Sequence, residues 1–125
     1  MKFAIYQIQI TAAQRKTINE SKDFDAVPAF AAKIKMKTHF SGNKIGGLAS
    51  EAFEAGYYTH VANIEAEDYE DCFEVGNIGP DENIERLSRM SSLSVGDVIV
   101  AEDGTVAVIA PVGFVAFSHN PSIAA

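Results

Sequence analysis

Cysteine and tryptophan are almost missing: the chain of 125 residues has a single cysteine, Cys72, and no tryptophan. One thiol excludes an intrachain disulfide and a cysteine-rich zinc site. Long apolar runs are missing too. None approaches the roughly 20 residues of a membrane span, and the opening MKFAIYQIQI is too short and too alternating for a secretory signal, so a cytoplasmic protein with no membrane contact is expected. Basic residues are scarce, ten against seventeen acids, giving a net charge of −7 and a pI near 4.8. Such a balance disfavours free nucleic acid and anionic membranes as partners. What is present, 47% hydrophobic and 22% charged residues, suits one compact domain over residues 1–125, burying about two-thirds of its unfolded surface.

The charge is unevenly divided. Residues 1–46 hold eight bases and three acids; residues 47–104 hold two bases, Arg86 and Arg89, and fourteen acids; residues 105–125 carry none. Such asymmetry marks an interaction face or complementary halves that pack together, within one chain or across a homodimer.

Along the chain, Tyr6, Ile8 and Ile10 alternate with Gln7 and Gln9, which predicts a strand with one wet face. Thr11 is placed to cap a helix over residues 12–20. In residues 21–43, Phe24, Val27, Phe30 and Ala31 predict a helical turn around Pro28. Ile34 and Met36, between Lys33, Lys35 and Lys37, alternate like an edge strand whose lysines discourage aggregation. Ile45, Leu48, Ala49, Ala52 and Phe53 form one helical stripe closed by Gly56. Residues 57–64 are aromatic and β-branched, so a strand is expected. Tyr69, Cys72 and Phe73 give the inner face of an acidic helix over 66–75, with acids at its start that suit the helix dipole. Pro80 is expected to open a short helix turning Ile84 and Leu87 inward. Residues 98–100 and 106–109 flank Asp103-Gly104, a hairpin signal, and residues 113–117 resume as a last short strand, leaving 118–125 to fray. The fold class is α+β: a small, mostly antiparallel sheet, three to four helices and a C-terminal β-hairpin.

Phe73 and the residues after it, then Ser-Ser-Leu-Ser-Val-Gly-Asp-Val-Ile-Val (91–100), Asp-Gly-Thr (103–105) and Gly-Phe-Val-Ala-Phe (113–117), carry a likeness. Residues 65–117 resemble the YodL-like domain of small bacterial and phage-encoded proteins and larger mobile-element proteins. Ser91 or Ser92 stands where that pattern has arginine, and Val106, Val108 and Ile109 replace its hairpin aromatics. The resemblance implies a phage or mobile-element setting, where small acidic proteins act by binding host machinery, and it brings no catalytic residues with it. Physically, Ser94 and Gly96 suit a tight turn into the hairpin, Asp97 suits bonding to nearby backbone amides, and Leu93, Val95 and Val98 suit the core.

Motifs for chemistry are lacking. Ser-Gly-Asn-Lys-Ile-Gly-Gly (41–47) does not have P-loop spacing, and no Gly-x-Ser-x-Gly elbow occurs. His39, His60 and His119 have no histidine or cysteine three or four residues away, so no metal site and no cofactor are expected. Cys72 reads as a buried thiol. The expectation is therefore a non-catalytic accessory protein that binds and modulates or inhibits a host protein, for example a defence or nucleic-acid-processing factor. The expected contact is Glu67, Asp68, Glu70, Asp71 and Glu74, extended by Asp81, Glu82 and Glu85. Two alternatives remain: an acidic DNA mimic, and a nucleic-acid contact through Lys33, Lys35 and Lys37.

Overall fold

A computed structural model describes residues 1–21, 26–38 and 42–117, with backbone alone at Thr38, Gly42 and Asn43. Phe24, His39, Ser41, His119 and the stretch 118–125 lie outside the described residues. The elements run β1 (Lys2–Ile8), α1 (Ala12–Ser21), α2 (Pro28–Thr38), α3 (Gly42–Glu54), β2 (Tyr58–Glu65), α4 (Tyr69–Asn77), a 3-10 turn (Asp81–Asn83), β3 (Ile84–Arg86), β4 (Val98–Val100), β5 (Val106–Ile109) and β6 (Phe114–Ala116). The strands form one antiparallel sheet in the order β3-β2-β1-β4-β5-β6. This is the expected α+β class.

Alternation along the strands feeds two cores, one on each face of the sheet. Tyr6, Ile8, Val98, Val106 and Val108 meet Met36 of α2 and Ile45, Ala49, Ala52 and Phe53 of α3. Phe3, Ile5, Ile99 and Ile109 meet Cys72 and Val75 of α4, with Tyr69 and Phe73 packed alongside. Both sides of β1 are therefore covered, and the expected wet face does not exist. Its polar member, Gln7, is 3% exposed. A central strand can bury a glutamine when its amide is fully hydrogen-bonded, as described below.

A bulge divides β2 between the two cores. Ile5 pairs with Ala62 and Tyr6 with His60, so Val61 is the extra residue. One inserted residue reverses the parity of every side chain beyond it. Tyr58 and His60 accordingly join the α3 side, where His60 stacks on Tyr6 at 4.8 Å and Phe53 stacks on Tyr58 at 5.3 Å. Ala62 and Ile64 join the α4 side. The Val61 carbonyl accepts from the amides of both Leu87 and Ser88, which ties down the chain after β3.

Two expectations are corrected. Lys33 to Lys37 is not an edge strand: it lies in α2, where Ala29, Ala32 and Met36 recur at helical spacing on the core side. Pro28 is the first residue of that helix, where its missing N–H costs nothing, and the five-residue alternation lost to Met36, which is fully buried. Nor does Pro80 start a helix that buries Ile84 and Leu87. After the 3-10 turn, residues 84–86 pair with the outer edge of β2, Ile84 packs on the α4 core, and Leu87 remains exposed.

The turns follow their residues. Thr11 Oγ1 accepts from the Gln14 amide at 3.1 Å while Gln14 Oε1 accepts from the Thr11 amide at 2.9 Å, a reciprocal cap for α1. Gly96 (φ +96°) and Gly104 (φ +89°) take the left-handed conformation at the start of β4 and in the β4–β5 connection.

Candidate functional site

The eight acids expected as a contact surface do different jobs. Asp68 is the N-cap of α4: its Oδ1 accepts from the Asp71 amide at 2.8 Å, and Asp71 Oδ2 accepts from the Glu67 amide at 3.0 Å. These two carboxylates hold the first turn of the helix and are committed to it. Asp81 pairs with Arg86 at 2.9 Å, and Glu85 Oε1 accepts from the Asn63 amide group at 2.8 Å. Glu67, Glu70, Glu74 and Glu82 are exposed. Consecutive acids on a helix point in different directions, and among the described residues no three His, Cys, Asp or Glu side chains are grouped to hold a metal ion.

Apolar surface is exposed at the C-terminal end of α4. Ile78, the residue just after α4, is 82% exposed. Beside it a shallow hollow of about 210 Å³ is lined by Ile78, Asp81, Arg86, Met90 and Ser92.

The three lysines of the alternative contact do not form one face. Lys33 and Lys37 lie one turn apart on the same side of α2, whereas Lys35 stands on another side of the helix and lines a groove between α2 and α3. Lys33 is half-buried, and its Nζ donates to the Ile8 carbonyl at 3.3 Å.

Sequence reasoning missed the polar centre that adjoins Lys33. Gln7 Nε2 donates to Asp97 Oδ2 at 3.0 Å and to the Ser91 carbonyl at 2.9 Å, and its Oε1 accepts from the Ser91 amide at 3.1 Å. Asp97 Oδ2 also accepts from the Ser94 amide at 2.9 Å, and the Asp97 amide donates back to the Ser94 carbonyl at 3.0 Å. Asp97 is 5% exposed. Burial pushes its carboxyl up to about 6, against the lowering pull of the Ser94 and Gln7 hydrogen bonds and of Lys33 and Lys37. Tyr58 closes the same turn from the α2–α3 side, its hydroxyl donating to the Gly96 carbonyl at 2.5 Å. Burial, then the Asp97 charge, hold its phenol well above the ordinary range. The Ser94–Asp97 bonding matches what the motif led us to expect. The Gln7 contact had no local signal beyond a polar residue at the end of an otherwise apolar strand.

Gln7 and the neighbouring Gln9 fix the main chain of residues 89–91 from below, Gln9 Nε2 donating to the Arg89 carbonyl. A groove of about 360 Å³ opens there, lined by Gln7, Ile8, Gln9, Ile10, Arg15, Lys33, Arg89, Met90 and Ser91.

Cys72 and His60 are accounted for structurally. Cys72 is fully buried under the sheet, and burial, with the Asp71 charge adding to it, pushes its thiol up to about 12. His60 Nε2 bonds Asn63 Oδ1 at 2.8 Å. No helix among the described residues is long and apolar enough to cross a membrane. Compared with protein families, curated proteins and solved structures, the chain matches none.

Proposed function

We propose that this chain is a non-catalytic accessory protein of a phage or mobile element that binds a host protein and modulates or inhibits it. The contact is the outer surface of α4, through Glu70 and Glu74, together with Glu67 just before its cap, and with Ile78 as its apolar anchor. The observation that supports this best is Ile78 itself, a large aliphatic side chain left in water between Glu74 and Asp81. Protein interfaces combine a desolvated apolar centre with a polar rim, and an acidic rim selects a basic partner and speeds its approach. The YodL-like likeness of residues 65–117 supplies the phage setting. A duplex-DNA mimic has less support, because an exposed isoleucine has no counterpart on a phosphate backbone.

The helix caps dictate how the test is built. Asp68 and Asp71 are left intact, because changing them frays α4 and confuses loss of contact with loss of fold. A tagged chain is used to capture proteins from a bacterial lysate beside two variants, the triple reversal Glu67→Lys, Glu70→Lys, Glu74→Lys and the single Ile78→Asp. The expected result is one specific protein retained by the parent and lost from both variants, while their melting temperatures stay within a few degrees of the parent's. Retention that is equal in all three chains, or no specific protein at all, overturns the reading. Displacement of the captured protein by duplex DNA would move the assignment to the mimic.

A further inference from the structure

We propose that the groove between the end of β1, α1, α2 and residues 89–91 binds a small organic phosphate of nucleotide size, held by Arg15, Lys33 and Arg89. The acidic face of α4 contributes nothing to this site, and neither reading depends on the other.

Three cations reach the groove from three separate parts of the chain. Arg15 stands one turn into α1, Lys33 projects from α2 over the Ile8 carbonyl, and Arg89 is carried by the stretch that Gln7 and Gln9 pin down. The placement of Arg89 is built rather than incidental, since Gln7 of β1 and Gln9 just after it both bond the main chain of residues 89–91. Among the described residues no acidic side chain lines the groove. Among the described residues none of the three cations makes an ion pair. Asp97, whose charge acts on Lys33, is buried and committed to Gln7 and the Ser94 amide.

The electrostatics point the same way. Burial first, then the neighbouring Lys37 and Arg15, lower the Lys33 ammonium below its ordinary range, and Asp97 only partly offsets them. In a chain of net −7, cations gathered against their mutual repulsion leave a local positive field that an anion neutralises. Two guanidinium groups and an ammonium favour a tetrahedral phosphate, which accepts paired N–H bonds on several edges at once. The remaining walls, Ile8, Ile10 and Met90 with the Gln9 amide and Ser91 hydroxyl, suit an organic body attached to that phosphate. A groove of about 360 Å³ falls in the range of small-molecule sites. A long polyanion is the poorer fit, because the acidic surface elsewhere repels it.

Calorimetric titration of the full chain with adenosine 5′-monophosphate, with adenosine and inorganic phosphate as companions, tests the site. The expected result is saturable binding of the monophosphate, competition by inorganic phosphate, and no binding of adenosine. Arg15→Gln and Arg89→Gln, both at exposed positions, are each expected to weaken binding by about tenfold or more, as loss of a charge-assisted contact does. Lys33→Gln is a poorer probe because Lys33 also bonds Ile8. Failure to saturate by ~10 mM, equal binding of adenosine, unchanged affinity in the arginine variants, or clear preference for a single-stranded oligonucleotide each overturns the proposal.

Discussion

Gln7 and Asp97, 90 positions apart in the chain, meet inside the protein with Gln7 Nε2 donating to Asp97 Oδ2 at 3.0 Å. That one contact joins the central strand to the turn before β4. It also explains why a carboxylate is tolerated where almost no water reaches it.

The carboxyl of Asp97 is raised to about 6 in the folded chain, above the value of about 3.9 for a free aspartate. The folded state therefore binds the proton more tightly than the unfolded state. This contribution to stability is complete below pH 4 and is lost as pH rises through 6, by up to about 3 kcal/mol. Both hydrogen bonds converge on Oδ2, so the carbonyl oxygen of Asp97→Asn can accept them in its place. The variant's stability minus the parent's, measured by urea unfolding, is expected to increase steadily between pH 4 and pH 7. A difference that stays flat across that range would falsify the assignment.

Removing the partner has the opposite sign. Gln7→Ala leaves Asp97 and the Ser91 main chain short of partners in the interior, and an unmet buried polar group costs about 1–3 kcal/mol. Urea midpoints at pH 7 should show a loss of that order or more, and Asp97→Asn in the same background should recover part of it.

Two glycines in helices make a paired test of packing. A Cβ at Gly76 would lie 2.7 Å from Leu93 Cγ and Cδ1, whereas at Gly47 nothing stands within 4 Å. Gly47→Ala gains helix propensity and should stabilise by about 0.5–1 kcal/mol. Gly76→Ala gains the same propensity but displaces a buried leucine, and overpacking of about 1–3 kcal/mol makes the net effect destabilising. Thermal melts of the two variants are expected to shift in opposite directions.

The caps of α4 separate structural from surface acids. Asp68→Ala removes the acceptor for the Asp71 amide and should cost about 1 kcal/mol. Glu70→Gln, on the exposed side of the same turn, should change stability by no more than about 0.5 kcal/mol. Equal losses in the two would mean that the capping geometry carries no weight.

Cys72 reports on opening of the sheet's α4 side. With its thiol fully buried and raised to about 12, the native chain should resist a neutral-pH thiol reagent, and labelling should follow unfolding across a denaturant series. Rapid labelling in the absence of denaturant is the result that contradicts this.

Much of the architecture was legible locally. The α3 stripe, the inner face of α4, the Thr11 cap, the β4–β5 hairpin around Gly104 and the closing strand at Phe114 each rest on residues within one or two turns of each other. Where two local patterns competed, tertiary contacts chose between them. Lys33 to Lys37 alternates like a strand, but Ala29, Ala32 and Met36 share the core side of a helix, and burial of Met36 beside Tyr58 and Gly96 decided the outcome. Residues 84–86 became a strand because β2 had an open edge to pair with.

The sequence by itself determined the α+β class, most of the elements and the concentration of acids in residues 47–104, because periodicity, capping and turn chemistry act over short stretches of chain. Only the tertiary structure decided that Gln7 is an interior residue bonded to Asp97 and that Arg15, Lys33 and Arg89 line one groove. Those relationships join residues that are 18 to 90 positions apart. Their geometry exists only after the sheet has closed, and no local pattern encodes it.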